Sequence, residues 1–169
     1  DNPAKQRAYL KKAGQAALDL LAFNSAREYF ARLLELTPES DPERSALALK
    51  LADSIVDDFP TRQTAIEQAQ ASAKTDTDRA SALAFLSDLK YFWQGNSAEA
   101  QTILAEAVRL ARASGDSQTL LLTLGALGDL NWWLGNFDDA KAALDESLAL
   151  ARALEDLTAE LSIFNRLGT

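Results

Sequence analysis

Carboxylates and aromatic rings must carry any chemistry in this sequence, because its 169 residues include no His, no Cys and no Met. That excludes a disulfide framework, a Cys/His zinc site, a thiol nucleophile and a histidine general base. Two pairs of adjacent acids, Asp57-Asp58 and Asp138-Asp139, have the residue type for general acid–base or metal work. Asp138 and Asp139 fall in the first turn of an expected helix, where acids complement the macrodipole. Asp57 and Asp58 fall at the C-terminal end of another, where they oppose it. No nucleophile–base pair and no phosphate-binding loop accompanies them, so the sequence predicts no catalytic site, no cofactor and no metal. The aromatic feature is a recurrence: Phe92-Trp93 is followed forty residues later by Trp132-Trp133.

The elements that position these residues are helices. Alanine (32) and leucine (29) dominate, whereas valine and isoleucine together number 6. Unbranched apolar residues favour helix, and the shortage of β-branched ones starves a sheet. The predicted class is all-α. The net charge is −8, distributed as +1 over residues 1–50, −4 over 51–100 and −5 over 101–169. An acidic body repels phosphate backbones, so no nucleic-acid partner is expected. No apolar run approaches the roughly 20 residues that span a bilayer, and no charged start leads into an apolar leader. The lack of Cys fits a cytoplasmic location. A start at Asp1 without Met, and an end at Gly168-Thr169 inside an amphipathic pattern, are expected of a piece of a longer protein.

The sequence repeats at about forty residues. Gly95-Asn96 recurs as Gly135-Asn136, Leu110-Ala111-Arg112-Ala113 as Leu150-Ala151-Arg152-Ala153, and Asp116 as Asp156. Asp76, Asp116 and Asp156 stand where helices would start and can accept from free first-turn N–H groups. Gly95 and Gly135 stand where the first helix of a pair would end, and Asn96 and Asn136 where the second would begin. Nine helices are predicted: 3–21, 24–36, 41–58, 61–74, 77–94, 97–114, 117–134, 137–154 and 157 onward. Pro38, Pro42 and Pro60 break the chain between early helices. A single repeat domain over residues 1–169 follows, with units near 3–38, 41–75, 77–115, 117–155 and a partial 157–169.

These units resemble tetratricopeptide repeats. The family pattern places a large apolar residue, Leu and Gly on the first helix, then Ala, an aromatic or Leu, Ala and Pro on the second. The first unit supplies Leu10, Ala13, Gly14, Ala26, Phe30, Leu33 and Pro38, and the fourth Leu124, Leu127, Gly128, Ala140, Leu144 and Ser147. Phe164, Leu167 and Gly168 match the opening of a fifth. Asp53 and Asp88 stand at the glycine position of the second and third units. The period exceeds the usual length of about 34 residues. It is similar to the repeats of bacterial multidomain transcriptional regulators and cyclase-like signalling ATPases.

The resemblance implies a right-handed superhelix of about 4.5 antiparallel pairs, whose first helices line a concave face. Inner positions would then be Phe85, Leu89, Phe92 and Trp93 in the third unit, and Leu122, Asp129, Trp132 and Trp133 in the fourth. Phe92 with Trp132, and Trp93 with Trp133, would stack in adjacent repeats. Such rows suit an extended peptide, a partner helix or an apolar small ligand, with a peptide or protein partner preferred and Asp129 as acceptor for a cation. Equally, aromatics at helical spacing can be core, and adjacent residues point about 100° apart on a helix. Family members that clamp a peptide carboxylate need basic inner residues, and Ala82 and Leu86 stand there instead. The expected role is a non-catalytic interaction or effector-sensing scaffold of a bacterial regulator. The alternative is a self-associating spacer that mediates oligomerisation. The basic cluster Lys5, Arg7, Lys11 and Lys12 is expected to be a solvated face or a contact with a preceding domain.

Overall fold

The computed structural model describes residues 2–167, without the side chain of Leu167. Gly168, and Leu167 as a packing residue of a fifth unit, therefore lie outside the described residues. Among the described residues the chain forms nine helices and no strand. They are α1 (Pro3–Asp19), α2 (Phe23–Glu35), α3 (Arg44–Asp53), α4 (Phe59–Ser72), α5 (Asp76–Phe92), α6 (Ser97–Ser114), α7 (Ser117–Trp133), α8 (Phe137–Ala153) and α9 (Leu157–Leu167). The helices gather into two compact units, Asp1–Lys74 and Thr75–Thr169. The division falls between α4 and α5, the second and third pairs.

In the first unit α1 packs on α2, α3 on α4, and α2 on α3. Close approach of α1 and α2 depends on Gly14. A Cβ there would sit 2.9–3.0 Å from the far edge of the Phe30 ring. Phe30 and Leu33 are fully buried with Ala26 beneath them. Helix α3 is shorter than the predicted 41–58. At its start, Pro42 sits inside a turn in which the Asp41 carboxylate accepts from the Glu43 N–H at 2.9 Å. The Arg44 guanidinium meanwhile donates to the carbonyls of Leu34 and Thr37 at the end of α2.

At the other end of α3, Asp58 belongs to the next helix. It N-caps α4, accepting from the Thr61 N–H at 3.2 Å and the Thr61 hydroxyl at 2.6 Å, and it pairs with Arg27 at 3.1 Å. These partners hold its carboxyl below the usual range, the Thr61 bonds foremost. Asp58 therefore stabilises a helix N-terminus rather than opposing a C-terminus. The basic cluster is likewise partly internal. Arg7 meets Asp41 at 2.6 Å and Lys11 meets Glu43 at 2.9 Å, tying α1 to the start of α3.

In the second unit α5 packs on α6, α7 on α8, α6 on α7, and α8 on α9, while α5 and α7 lie side by side. Asn96 and Asp116 cap α6 and α7 as expected, accepting from Glu99 and Thr119 at 3.1 and 2.7 Å. Asp156 does the same before α9, accepting from Ala159 at 3.0 Å. Two caps differ from expectation. Thr75, not Asp76, caps α5, in a reciprocal box with Asp78. Asn136 precedes α8 without a side-chain cap, and its side-chain Nδ2 donates instead to Oδ1 of Asn131 at 3.4 Å.

The glycine position of the degenerate units is also filled differently. Asp53 is exposed and Asp88 half-buried, and the residue just before each is small and buried: Ala52 and Ser87. The Ser87 hydroxyl donates to the Ala100 carbonyl of α6 at 3.0 Å, so a polar contact replaces the glycine contact.

Gly115 ends α6 at φ +70°, and forty residues later Glu155 takes the same conformation at φ +55°. A side chain disfavours that region by roughly 1–2 kcal/mol. Glu155→Gly is therefore expected to stabilise the protein by about 1 kcal/mol, read as a higher urea midpoint. An unchanged or lower midpoint would contradict that assignment of strain.

Candidate functional site: an aromatic edge

The aromatic residues of the second unit collect where each first helix turns into its partner. Helix α5 ends at Phe92 and is closed by Trp93, before Gly95 reverses the chain at φ +64°. Helix α7 ends at Trp133, before Gly135 does so at φ +79°. Phe137 then opens α8. The rings stay outside because the interior is already filled. Ala84, Ala100, Leu104, Ala107 and Leu130 pack α5, α6 and α7 together, and these mostly small residues leave no space for an indole.

Phe92 is 56% exposed, Trp93 47%, Trp132 39%, Trp133 59% and Phe137 57%. All three tryptophans of the protein are in this group. The Phe92 and Trp133 rings meet edge to face, with centroids 5.9 Å apart and planes at 84°. Trp132 meets Phe137 at 5.0 Å, and Tyr91 meets Phe92 at 4.9 Å. Each such pair contributes about 0.5–1.5 kcal/mol beyond area burial. These contacts tie Phe92, with Tyr91, to Trp133 and Trp132 to Phe137.

This arrangement corrects the expected stacking. Phe92 does not stack on Trp132; its partner is Trp133. Equivalent residues of successive repeats point the same way, so a ring reaches across to a non-equivalent neighbour. Phe92 spans from α5 to α7, while Trp132 turns to Phe137 of its own pair. Leu89 is 1% exposed and belongs to the core, out of reach of any partner. Phe85 is half-buried and Leu122 exposed on the same helices. The candidate surface is therefore the turn end of α5, α7 and α8.

Two residues of the edge were missed from sequence, Tyr91 and Phe137. The signal for Phe137 was a departure from the repeat, since Ser97 occupies the position forty residues earlier.

Asp129 is held by the chain itself. Its carboxylate lies 3.3 Å from Nε of Arg166 on α9. Gly125 leaves room for that guanidinium, whose Nη1 lies 3.2 Å from where a Cβ would stand. Burial raises the Asp129 carboxyl above its ordinary 3.8, against the opposing charge of Arg166. A raised carboxyl favours the folded state while protonated, and that contribution is lost as pH rises through the folded value. Asp129→Asn is therefore expected to raise the urea midpoint at neutral pH and to match the wild type near pH 3. A lower midpoint at neutral pH would show that the Arg166 pair outweighs desolvation.

Among the described residues no group of three or more Asp or Glu is placed to hold a metal ion. No helix among them is long and apolar enough to cross a membrane.

A family model described as tetratricopeptide repeat matches residues 78–153, from the first turn of α5 to the end of α8. The aromatic edge lies inside that segment. No curated protein matches the chain. Repeats of this kind generally mediate protein–protein interaction, and their all-helical fold is typically a non-enzymatic scaffold.

Proposed function

With residues 78–153 matching tetratricopeptide repeats, we propose that this protein is a non-catalytic interaction module whose aromatic edge docks a protein or peptide partner. The observation that carries this reading is the group of five exposed rings, four of which pair edge to face as Phe92 with Trp133 and Trp132 with Phe137. A soluble protein seldom leaves a contiguous aromatic surface uncovered unless something binds there. Indoles are also the side chains that most often anchor interfaces. The forty-residue period, kept by Gly95 and Gly135 at positive φ, supports a place in a cytoplasmic bacterial regulator. Docking at the turn end would bias the packing of α5 against α7, and so the state of a neighbouring domain.

The test is a peptide-display selection on the intact protein, with a counter-selection on Trp93→Ala/Trp133→Ala. Both indoles are about half exposed and neither is among the buried core residues. Sequences enriched on the wild type should be lost on the double variant. Retention of every enriched sequence would place the binding surface elsewhere.

A second reading, self-association, is favoured by one observation. Leu157, Leu161 and Phe164 form an apolar stripe on α9 and are 72%, 66% and 44% exposed. Light scattering separates the two readings, because a mass that stays monomeric with rising concentration counts against self-association.

A further inference from the structure

We propose that the edge selects an arginine-bearing apolar segment, with guanidinium groups lying over its exposed rings and against Asp138 and Asp139. This deepens the docking role proposed above and rests on it.

Charge is the first ground. Residues 75–169 carry seven Lys and Arg against 14 Asp and Glu, a net −7, whereas residues 1–74 carry a net −1. Each of those seven cations is already paired with an acid of the same unit. Arg79 holds Asp76, Lys90 holds Glu99, Arg109 holds Glu106 and Arg112 holds Glu146. Lys141 holds Asp145, Arg152 holds Glu160 and Arg166 holds Asp129. The unit has no spare cation for its remaining acids.

Two of those acids stand in the first turn of α8, next in sequence to the edge residue Phe137. Asp138 and Asp139 directly follow Phe137, are exposed, and have no cationic partner among the described residues. The dipole of α8 explains why they are tolerated there. It leaves their charge open to an external cation.

The rings provide the second ground, since the face of an indole or phenyl ring attracts a cation. The protein already uses this combination once. The Arg152 guanidinium lies 5.4 Å from the Phe164 ring centroid while its Nε donates to Glu160 at 2.8 Å. Arginine suits such a site better than lysine, because its planar group stacks on a ring and still donates sideways to a carboxylate. The apolar part of the segment would cover ring surface that no cation occupies.

The experiment titrates the full chain with short synthetic peptides that alternate leucine with arginine, glutamine or glutamate. Tryptophan emission reads the edge alone, because every tryptophan is in it. The arginine peptide is expected to change the emission and to bind on the order of tenfold more tightly than the glutamine peptide. Asp138→Asn/Asp139→Asn should reduce its affinity by a similar factor. Asp53→Asn/Asp57→Asn removes the same charge from exposed positions of the other unit and should change nothing. Equal affinity for the arginine and glutamine peptides would overturn the arginine inference and leave docking standing. Equal weakening by both acid pairs would reduce the effect to bulk charge and also overturn it. If no peptide altered the emission, the docking role would fall with it.

Discussion

Replacing Phe30 by alanine is expected to destabilise residues 2–74 by about 3–5 kcal/mol. The ring is 1% exposed, and its far edge presses on Gly14. Glycine has no side chain with which to fill the space that truncation opens, so the cavity between α1 and α2 persists. A unit of this size is held by only a few such contacts, and a loss of that order is a large share of the usual 5–15 kcal/mol. The loss is read as a lower urea midpoint of the helical circular dichroism. A second variant makes the argument specific. Gly14→Ala alone crowds the ring and should destabilise. In the Phe30→Ala background its methyl enters vacated space and adds helix propensity worth roughly 1 kcal/mol, so the sign should reverse. Phe30→Ala within 1 kcal/mol of wild type, on the order expected for surface sites, would contradict the packing described.

The second large effect is expected at Gly128, where a Cβ would stand 2.6 Å from both Cγ and Cδ2 of Leu144. Leu144 is 2% exposed and packs with Leu121, Leu148, Ala151 and Ile163. Its branch carbon cannot swing aside as a chain end could. Gly128→Val is therefore expected to destabilise the second unit by about 3 kcal/mol, although it removes a glycine from a helix. Leu144→Ala removes the opposing atoms, so the double variant should show coupling of roughly 0.5–3 kcal/mol. Gly125 is the control on the same helix. The nearest atom to its Cβ position is a guanidinium nitrogen of Arg166, 3.2 Å away at the end of a flexible chain. Gly125→Ala should be tolerated. Tryptophan emission during urea unfolding reports both cases. Additive behaviour of Gly128 and Leu144 would show that α7 and α8 do not meet there.

Much of the fold was legible because capping and close packing are written in short-range residue choices. Asn96 and Asp116 announce helix starts, Gly95 and Gly135 announce reversals, and Ala26 and Ala140 mark where helices touch. The failures came from side-chain contacts, near in sequence as well as far, that the repeat pattern does not carry. Asp58 looked like a misplaced C-terminal acid until Thr61 and Arg27 were seen around it. The small buried residues are Ala52 and Ser87, one position before the Asp53 and Asp88 that the repeat pattern aligns with its glycine, a shift of one residue that periodicity cannot resolve. For the site, the exposed tryptophans were legible as a recurrence. Their partners were not. Ring contacts between repeats join non-equivalent residues, so a forty-residue spacing pointed to Trp132 when Phe92 meets Trp133. Leu89 shares the helical face that periodicity assigned to the site, yet it lies under neighbouring helices.

The most direct test of the aromatic edge as a docking surface is acrylamide quenching of tryptophan emission, with and without a peptide selected on the intact protein. All three indoles are 39–59% exposed, so the free protein should be quenched readily and uniformly. On binding, that quenching should fall as the partner covers the rings. Indoles already shielded in the free protein, or quenching unchanged when the peptide is bound, would contradict the assignment.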